Sequence, residues 1–583
     1  MSRSQPYVHA VTADDVTRWL AAVAGTRMVG VDTETTGWDP LVDRLVLVQV
    51  AAGGEHPVLV VDTDHVSPQV LSPLLGDPDV LKVFHHGAFD LRFLATAGMR
   101  VRRVADTMLS QQLLDGGEKT PSGFGLAGMA SFRLGMELDK TVRATFAAGG
   151  PVTQTQVRYA ADDASATLGV FEQQWRELVG HGLTRVAQLE FGALPVLAGL
   201  QLRGIGFDPQ RWRDELGRLE TQLPELEDTV QRELVTADSP RNLFGPEPVN
   251  LESPEQVVEA LARLGITLPS TREVVLRDHA DHPAVAALLA YRQVAKVTSN
   301  WGGDWADRVV HPVSRRIHAD WRQIVGTGRI ACSDPNLTQV PKEERYRSCF
   351  RAEEDATLVV ADYSQQELRI LAAVSGDDAL AEVFRSGGDL HRTTAAMAFD
   401  TPIDAVTDVQ RAAAKALNFG LMYGMGAAGF ARSTGMAVAD AQAAMDAYFA
   451  TFPRVAEWLA QAEATGRRSG RVRTPLGRLR VFDPSAGSVV TLSRNAPIQG
   501  AGADMTKLAL AAVERRLTQR FGDLPQRPEG LVLVVHDELV VEVPAEDASE
   551  TAELVAAGMR EAAAEILGDI PAAVDVSVRR RWG

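Results

Sequence analysis

Two carboxylates at predicted strand ends, Asp362 and Asp537, are suited to hold a divalent cation. Asp362 follows a β-branched and apolar run, Thr357 to Ala361, that reads as a buried strand. Asp537 lies in a polar tip between two apolar runs, 531–535 and 539–543, which is the pattern of a β-hairpin. Two carboxylates held face to face repel, and Mg²⁺, which prefers hard oxygen ligands, removes that cost. For Asp362 alone, an ordinary aspartate turn explains the pattern equally well.

A third group, between these strands, is suited to bind a triphosphate and a stacked base. Arg411, Lys415, Phe419 and Tyr423 are each four residues apart, so they share one face of a helix. That face offers two cations and then two aromatic rings. An amphipathic helix with a basic end is the alternative. Lys415 argues against it, because the chain has only seven lysines among its 59 basic residues and a compact ammonium suits proton donation.

A separate acidic set nearer the N-terminus predicts hydrolysis of a phosphodiester. Asp32 and Glu34 face the same side of a predicted strand, because side chains alternate along it. Asp90 lies at the start of a predicted helix, and Tyr159 and Asp163 are one helical turn apart. Four carboxylates and a tyrosine suit two metal ions about 3.5–4 Å apart that activate water. Each acid taken alone could be a surface residue, so the specific signal is the ordered set.

From about residue 190 to the C-terminus, the chain resembles the family A (polymerase-I-like) DNA polymerases. DYSQ-ELR around Asp362, R-AAK-LNFG--YG from Arg411 and VHDE around Asp537 are similar to that family's motifs A, B and C, in the same order. Further similar segments are TGR at 327–329, DPNL at 334–337, DLH at 389–391 and NAPIQG at 495–500. The resemblance implies a right-hand module of palm, fingers and thumb.

The resemblance and the chemistry together imply a role for each residue of this module. Asp362 and Asp537 would bind two Mg²⁺ ions, with Glu538 supporting the metal site. Lys415 would give a proton to pyrophosphate, and Glu367 would block a 2′-hydroxyl. Contacts to deoxynucleoside triphosphates are expected from Gln365, Glu367, His391, Arg411, Lys415, Phe419 and Tyr423. Contacts to primer-template DNA are expected from Arg329, Asn336, Asn495, Gln499 and His536.

Residues 10–178 resemble the DEDD-y 3′–5′ exonucleases, which include the proofreading domain of family A polymerases and ribonuclease D. The resemblance rests on the order D-x-E, an aspartate within HGAFD, and Y-x3-D. It implies that Asp32, Glu34, Asp90 and Asp163 hold two Mg²⁺ ions and that Tyr159 orients the attacking water. Mn²⁺ is the expected alternative to Mg²⁺. Because this segment begins near the N-terminus, no 5′ nuclease domain is expected in front of it.

The predicted fold class is α/β multidomain, an RNase H-like exonuclease domain followed by the right-hand polymerase module. At 583 residues the chain is too long for one core. The predicted parts are the exonuclease domain (1–180), the thumb (187–308), the first part of the palm (309–374), the fingers (375–494) and the second part of the palm (495–583).

Composition bears on partners and compartment. The net charge of −17 argues against nucleic-acid binding. Two arginine-rich runs, at 315–329 and 467–480, nevertheless predict a basic groove on an acidic body, with a solvated face as the alternative. Cys332 and Cys349 form neither a zinc pattern nor a disulfide framework. No signal peptide or membrane span is recognised, so a cytoplasmic monomer without a membrane partner is expected.

The sequence therefore predicts a template-directed DNA polymerase with 3′–5′ proofreading, acting in repair or gap filling. A ribonuclease-D-like exonuclease whose C-terminal module only holds the substrate is the alternative, and a DNA-bridging scaffold with relic sites is another. The complete motifs oppose the first, and the unbroken carboxylates oppose the second. Three departures from the family pattern predict lower fidelity: Gln366 stands where the family has Ile, Thr338 where it usually has Gln, and Thr491 where it usually has Arg.

Overall fold

The computed structural model describes residues 6–117, 123–243, 245–522 and 527–583. They form two compact units. Unit 1 comprises Met1–Ile205, His318–Val340 and Ala352–Arg580, and unit 2 comprises Gly206–Ile317, Pro341–Arg351 and Arg581–Gly583. The five-part division given above stays a prediction. Within the described ranges, no helix is both long enough and apolar enough to span a membrane.

The N-terminal part of unit 1 is built on a mixed sheet of six strands. The strands are β1 (Tyr7–Ala10), β2 (Met28–Thr35), β3 (Leu45–Ala51), β4 (Val58–Asp62), β5 (Leu81–Phe84) and β6 (Val104–Asp106). The helices are α1 (Ala13–Ala22), α2 (Ser72–Leu75), α3 (Ala88–Thr96), α4 (Thr107–Asp115), α5 (Leu126–Leu134) and α6 (Gln154–Gly180). The strand order is β1-β4-β3-β2-β5-β6. Strands β2, β3 and β4 form an antiparallel meander, and β2 is the strand predicted to carry Asp32 and Glu34.

Helix α6 packs closely on strand β2 because of one glycine. A Cβ atom at Gly30 would lie 2.5 Å from the carbonyl oxygen of Ala164 and 2.9 Å from Cβ of Leu168. Both neighbours are on α6, so a larger residue at position 30 would push the helix away. The close packing brings the helix face that carries Tyr159 and Asp163 next to the strand that carries the first two carboxylates.

Residues 184–351 are mostly helical. The helices are α7 (Thr184–Arg203), α8 (Pro209–Leu234), α9 (Pro254–Arg263), α10 (Glu273–Arg277), α11 (Pro283–Trp301), α12 (Trp305–Arg308) and α13 (Glu344–Arg347). The strands are β7 (Ile205–Phe207), β8 (Arg241–Asn242), β9 (Gly245–Pro246), β10 (Arg316–Ile317), β11 (Asp320–Arg322), β12 (Ala331–Ser333) and β13 (Phe350–Arg351). Within unit 2, Trp212 packs against Trp301, Trp305 and Phe350.

The remaining part of unit 1 contains an antiparallel sheet of four strands. The strands of this part are β14 (Ala356–Tyr363), β15 (Arg471–Arg473), β16 (Leu479–Val481), β17 (Gly530–Val535), β18 (Glu538–Pro544) and β19 (Val574–Arg579). The helices are α14 (Gln366–Ser375), α15 (Asp378–Arg385), α16 (Leu390–Ala398), α17 (Asp408–Met422), α18 (Ala427–Thr434), α19 (Val438–Thr451), α20 (Pro453–Ser469), α21 (Val489–Phe521) and α22 (Ala548–Leu567). The sheet order is β17-β18-β14-β19, which confirms the predicted hairpin of β17 and β18.

Strand β14 extends past the predicted end. Asp362 and Tyr363 pair with Asp575 and Val574 of β19. The apolar run 357–361 predicts a strand that ends at Ala361, because that run alone does not show the pairing with β19. Asp362 therefore lies within the pleated sheet, between two neighbouring strands, and not in a turn.

A buried charge network ties helix α7 to helix α21. Lys507 Nζ lies 2.6 Å from Glu190 Oε1 and donates to the carbonyl oxygen of Gly328 at 2.8 Å. Arg478 contacts Glu190 and lies 2.6 Å from Asp504 Oδ1. Burial would raise the pKa of Glu190, but Lys507 and Arg478 hold it below its usual value. Arg478 belongs to the second arginine-rich run, so the prediction that this run lines an exposed groove is wrong for Arg478.

We expect Glu190→Gln to destabilise the protein by about 3–5 kcal/mol, because it leaves two buried cations without their shared carboxylate. The folded-state pKa of Glu190 is depressed, so its contribution is present above the unfolded-state pKa and is lost as pH falls through the folded-state pKa. The deficit, measured by urea unfolding, should therefore shrink on acidification. Glu565→Gln, which removes a surface partner of Arg185, is the control and should cost less than about 1 kcal/mol. Equal effects of the two substitutions would contradict the assignment.

Candidate active sites

Three carboxylates of the N-terminal sheet converge on one point. One ligand oxygen from each of Asp32, Glu34 and Asp163 lies within 4.8 Å of the other two, a grouping suited to a metal ion. Strand β2 presents the first two on one face, and α6 supplies the third. Gln49, the partner of Asp32 on β3, donates to Asp32 Oδ2 at 2.6 Å. Burial, followed by the charges of Asp90 and Asp163, raises the pKa of Asp32 well above its usual value.

Asp90 lies to one side of this group. It is buried in the first turn of α3, and its Oδ1 accepts a hydrogen bond from Thr33 Oγ1 at 2.6 Å. Asp90 is not among the three converging residues, but it lies close enough for its charge, after burial, to raise the pKa of Asp32. Burial raises the pKa of Asp90 to about 7. The role of Asp90 as a metal ligand stays a prediction.

Tyr159 lies beside Asp163, as their spacing on α6 predicts. Both side chains are buried, and burial, followed by the negative charges of Asp163 and Glu34, raises the pKa of the Tyr159 hydroxyl. Lys140, which the sequence analysis did not select, donates to Asp163 Oδ2 at 2.5 Å and lies 3.4 Å from the Tyr159 hydroxyl. The four predicted carboxylates and Tyr159 thus form a compact acidic site, and the ammonium of Lys140 contacts it.

An exposed aromatic residue near this site was also missed. Trp38 is 66% exposed and packs edge-on against Phe89 with ring centroids 5.7 Å apart. The guanidinium carbon of Arg143 lies 4.2 Å from the centroid of the Trp38 ring. Burial raises the pKa of Glu34 well above its usual value, and the positive charge of Arg143 opposes this rise, which places the pair close to the carboxylates. A flat, exposed ring is suited to stack on a nucleobase.

The second acidic site lies on the four-stranded sheet. Asp362 of β14 pairs in register with Glu538 of β18 and with Asp575 of β19. Burial, together with the negative charges of Asp537, Glu538 and Asp575, raises the pKa of Asp362 to about 7. Oδ1 of Asp362 is buried and accepts no hydrogen bond from the part of the chain that the structure describes. Asp362 thus lies between Glu538 and Asp575, with Asp537 near enough for its charge to act on it, but among the described residues no three ligand oxygens of this group lie within 4.8 Å of one another.

The hairpin tip presents the residues between β17 and β18. His536 is exposed and has a positive φ of 59°, as the tight turn requires. Its carbonyl oxygen accepts a hydrogen bond from Thr506 Oγ1 at 3.2 Å, which ties the turn to α21. Asp537 follows at the same tip, next to Glu538.

Helix α17 carries the predicted cationic and aromatic face. Arg411 Nε donates to Asp389 Oδ2 at 2.7 Å, and Lys415 is exposed one turn later. The ring of Phe419 lies 6.0 Å from that of His391 on α16. Burial lowers the pKa of His391, and the nearby cations Arg411 and Lys415 lower it further. The packing of α16 on α17 thus brings His391 near the two cations and the aromatic ring of α17.

A chain of hydrogen bonds links four residues that the sequence analysis assigned to nucleotide or DNA contacts. Arg329 Nη2 lies 2.6 Å from Glu367 Oε1. The Tyr423 hydroxyl donates to Glu367 Oε2 at 3.3 Å and accepts from Gln499 Nε2 at 3.0 Å. Glu367 is therefore held from both sides, by a guanidinium and a phenol.

Two other predicted DNA-contacting residues are partly engaged within the protein. Asn336 Oδ1 accepts a hydrogen bond from Thr338 Oγ1 at 2.6 Å. Asn495 is buried on α21, and its Oδ1 has no hydrogen-bond partner among the described residues.

Gln365, at the start of α14, has a positive φ of 55°. Thr491 Oγ1 donates to the carbonyl oxygen of Tyr423 at 3.3 Å, so it still contacts the end of the α17 segment.

Comparison with known protein families identifies both parts of the chain. Residues 220–583 match the family model of DNA polymerase family A, and residues 7–179 match that of a 3′–5′ exonuclease. The first match covers more than half of the chain. The chain belongs to DNA polymerase family A. The predicted family and the predicted fold class are therefore confirmed.

Individual members of family A are similar over nearly the whole chain. DNA polymerase I of Pseudomonas aeruginosa is 33% identical over 97% of this chain, and that of Chloroflexus aurantiacus is 32% identical over 94%. The chain spans 64% and 60% of the lengths of these two relatives. A solved structure, the POL domain of Pol1 from M. smegmatis in complex with DNA primer-template and dNTP, superposes with a TM-score of 0.82 at 26% identity. The superposition covers 98% of this chain and 99% of that one.

Some of the candidate site residues outside the family A motifs could have been recognised from the sequence. The scarcity of lysine that pointed to Lys415 applies equally to Lys140. Asp575 lies in Val-Asp-Val-Ser-Val, an alternating pattern that predicts a strand with one exposed face. Trp38 and Arg143 carry no spacing signal, because their contact joins a loop to a distant 3-10 helix, Val142–Ala148.

Proposed function

We propose that this chain is a template-directed DNA polymerase that extends primer 3′ ends and also removes nucleotides from them. The observation that carries the proposal is the pairing of Asp362 with Glu538 on one sheet, with Asp537 at the adjoining hairpin tip, in a chain that also has the cationic face of α17. The carboxylates are suited to metal ions, and the cations are suited to a triphosphate. Because the chain belongs to DNA polymerase family A, we propose that the synthesis is directed by a template.

The donor sets at both sites fit Mg²⁺, with Mn²⁺ as the alternative, and we propose two ions at each. The ligands are carboxylate oxygens, which hard divalent cations prefer. At each site one oxygen, Asp362 Oδ1 or Asp163 Oδ1, is buried without a hydrogen-bond partner among the described residues. Such an oxygen is costly to bury unless a ligand satisfies it. When bound, the metal ions would favour ionisation of the attacking hydroxyl or water and offset negative charge on the phosphate.

The chain's own residues then bind and orient the substrates. In the polymerase site we propose that Arg411, Lys415 and His391 bind the triphosphate, with Lys415 giving a proton to the leaving pyrophosphate. Phe419 would lie against the nucleotide, and Tyr423 would occupy the template-base position until the helix closes. Gln365 would contact the incoming nucleotide. Contacts to primer-template DNA would come from Arg329, Asn336, Asn495, Gln499 and His536.

Glu367 is the proposed barrier to ribonucleotides. Its carboxylate is fixed by Arg329 and Tyr423, so it cannot easily turn away from a 2′-hydroxyl. A rigid carboxylate at this position would exclude the extra oxygen by contact. Deoxynucleotides would therefore be the preferred substrates.

In the exonuclease site, Asp32, Glu34, Asp90 and Asp163 would hold the metal ions and Tyr159 would orient the attacking water. Lys140 Nζ lies 3.4 Å from the Tyr159 hydroxyl and 2.5 Å from Asp163 Oδ2, which places the phenol next to the carboxylates. Removal of a mispaired 3′ nucleotide would follow from this chemistry. We place the enzyme in repair or gap filling, as a cytoplasmic monomer with the five-part division given above.

Primer extension tests the proposal directly. A 5′-labelled primer on a longer template is incubated with Mg²⁺, with and without the four deoxynucleotides, and resolved on a denaturing gel. We expect growth to full length with nucleotides and shortening without them. A primer that only shortens, even with nucleotides in excess, would favour a ribonuclease-D-like exonuclease in which the C-terminal part holds the substrate.

Gln366→Ile is expected to raise the fidelity of the polymerase site. Gln366 is buried beside Glu367, and its Nε2 lies 3.4 Å from the carbonyl oxygen of Gly502, at the outer limit of a hydrogen bond. An apolar side chain there should hold Glu367 more firmly. In a background that carries Asp163→Ala, misincorporation and ribonucleotide insertion should fall about three- to tenfold, since a small change in a packed pocket has effects of this order. Unchanged error rates by sequencing of extension products would contradict this role of Gln366.

A further inference from the structure

A lysine reaches the exonuclease carboxylates from the solvent side. Lys140 lies between α5 and the 3-10 helix Val142–Ala148, and its side chain is 37% exposed, against 5% for that of Asp163. Its Nζ lies 2.5 Å from Asp163 Oδ2 and 5.2 Å from the centroid of the Tyr159 ring. A single flexible cation is thus in contact with a carboxylate and a phenol that the proposed reaction uses.

The two oxygens of Asp163 have different surroundings. Oδ2 accepts from Lys140, whereas Oδ1 is buried with no hydrogen-bond partner in the described ranges. Lys140 therefore leaves one oxygen of Asp163 for a metal ion while adding a positive charge next to it. Arg143, on the neighbouring 3-10 helix, adds a second positive charge near Glu34.

The net charge of the exonuclease site with its metal ions bound depends on these two cations. Four carboxylates and two divalent ions sum to zero, so the loaded cluster would have no net attraction for a phosphodiester. Lys140 and Arg143 make the site positive, which suits an anionic substrate whose charge grows in the transition state. The same positive charge repels divalent cations over a few ångströms of partly dry protein, so it weakens their binding.

We propose that Lys140 sets the charge of the exonuclease site, attracting the scissile phosphodiester while weakening the binding of divalent metal. This role rests on the proposed exonuclease function, and it makes Lys140 a residue of the reaction that lies outside the four carboxylates and the tyrosine. It predicts effects of opposite sign on metal binding and on cleavage when the charge is removed.

The test compares Lys140→Met with Lys140→Arg in a chain that also carries Asp362→Asn and Asp537→Asn, so that the polymerase site no longer binds metal. Mn²⁺ binding is followed by electron paramagnetic resonance, and removal of the 3′ nucleotide from single-stranded DNA is followed in single turnover at saturating Mn²⁺. Lys140→Met should bind Mn²⁺ about tenfold more tightly, because the repulsion between the ammonium and the divalent ion is removed. It should cleave about tenfold more slowly, because a positive charge near the phosphate is lost.

Lys140→Arg and Lys296→Met serve as controls, and Lys140→Gln is a substitute for Lys140→Met. Lys140→Arg keeps the charge and should retain both properties. Lys296→Met removes an exposed lysine of α11 and should change neither. Lys140→Gln removes the charge but keeps a hydrogen-bond donor, so it should behave as Lys140→Met and replaces it if methionine impairs folding.

The opposite signs separate the proposal from damage to the fold, which would weaken metal binding and cleavage together. Unchanged or weaker Mn²⁺ binding by Lys140→Met would overturn the proposal, and so would tighter binding with undiminished cleavage. If the parent chain cleaves no substrate, the proposed exonuclease function fails, and the role of Lys140 fails with it even if Mn²⁺ binding shifts as expected.

Discussion

Replacing Asp537 by Asn is expected to abolish primer extension while leaving 3′ shortening of the same primer intact. Asp537 lies at the tip of the β17–β18 hairpin, and its charge raises the pKa of Asp362, so the two carboxylates share one site. The amide has nearly the same shape but no charge to bind a metal ion. Because the metal contributes several kcal/mol to the reaction, the extension rate should fall by about 1,000-fold or more.

Rapid-quench extension of a labelled primer, with shortening measured in the same samples, checks this prediction. Asp569→Asn removes a surface carboxylate that pairs with Arg385 and should leave both activities unchanged. A residual extension rate within tenfold of the parent chain would show that Asp537 is not a metal ligand. Loss of shortening as well would indicate a general defect in folding, which circular dichroism would reveal.

Replacing Asp163 by Asn is expected to have the converse effect. Asp163 is one of three converging carboxylates and contacts both Lys140 and Tyr159. The substitution removes a ligand charge and leaves the ammonium of Lys140 beside an amide. Shortening of single-stranded DNA should fall by about 1,000-fold or more, since the hydrolysis depends on metal-activated water. Primer extension should be retained, and errors left in its products should increase.

Asp162, the preceding residue on α6, provides the matched control. It is half-buried and is not among the three converging carboxylates. Asp162→Asn should therefore change the shortening rate by no more than about twofold, as most substitutions outside a reaction site do. Equal losses in the two variants would mean that the charge of this helix turn matters, and not the position of Asp163.

The sequence was sufficient for features that depend on local spacing. The shared helical face of Arg411, Lys415 and Phe419 on α17 is predicted by their four-residue spacing. The β17–β18 hairpin is predicted by two apolar runs around a polar tip. The convergence of Asp32, Glu34 and Asp163 could be expected because one strand and one helix supply all three. In each case the deciding contacts lie within one element or between elements that the motifs already name.

The features that were not predicted depend on contacts between distant parts of the chain. Arg478 stands in an arginine-rich run, and its burial depends on Glu190, which is 288 residues away. Asp575 comes beside Asp362 only because β19 pairs with β14, a register that the composition of either strand does not specify. Lys140 contacts Asp163 from a loop, where no periodicity indicates which way a side chain points. The charged residues can be read from the sequence, but the contacts that each of them makes depend on the tertiary packing.

The long reach of the Glu190 network has a consequence for biosynthesis. The N-terminal sheet is complete once residue 106 has been made, so that segment can fold early. Glu190 must wait for Lys507, its partner 317 residues later, which takes roughly 15 to 60 seconds of translation at about 5–20 residues per second. During that interval its carboxylate stays hydrated, and helix α7 lacks the ion pairs that hold it to α21. A ribosome that stalls within this interval would therefore hold a nascent chain in which the exonuclease-like segment is already ordered and the contact between α7 and α21 has not formed.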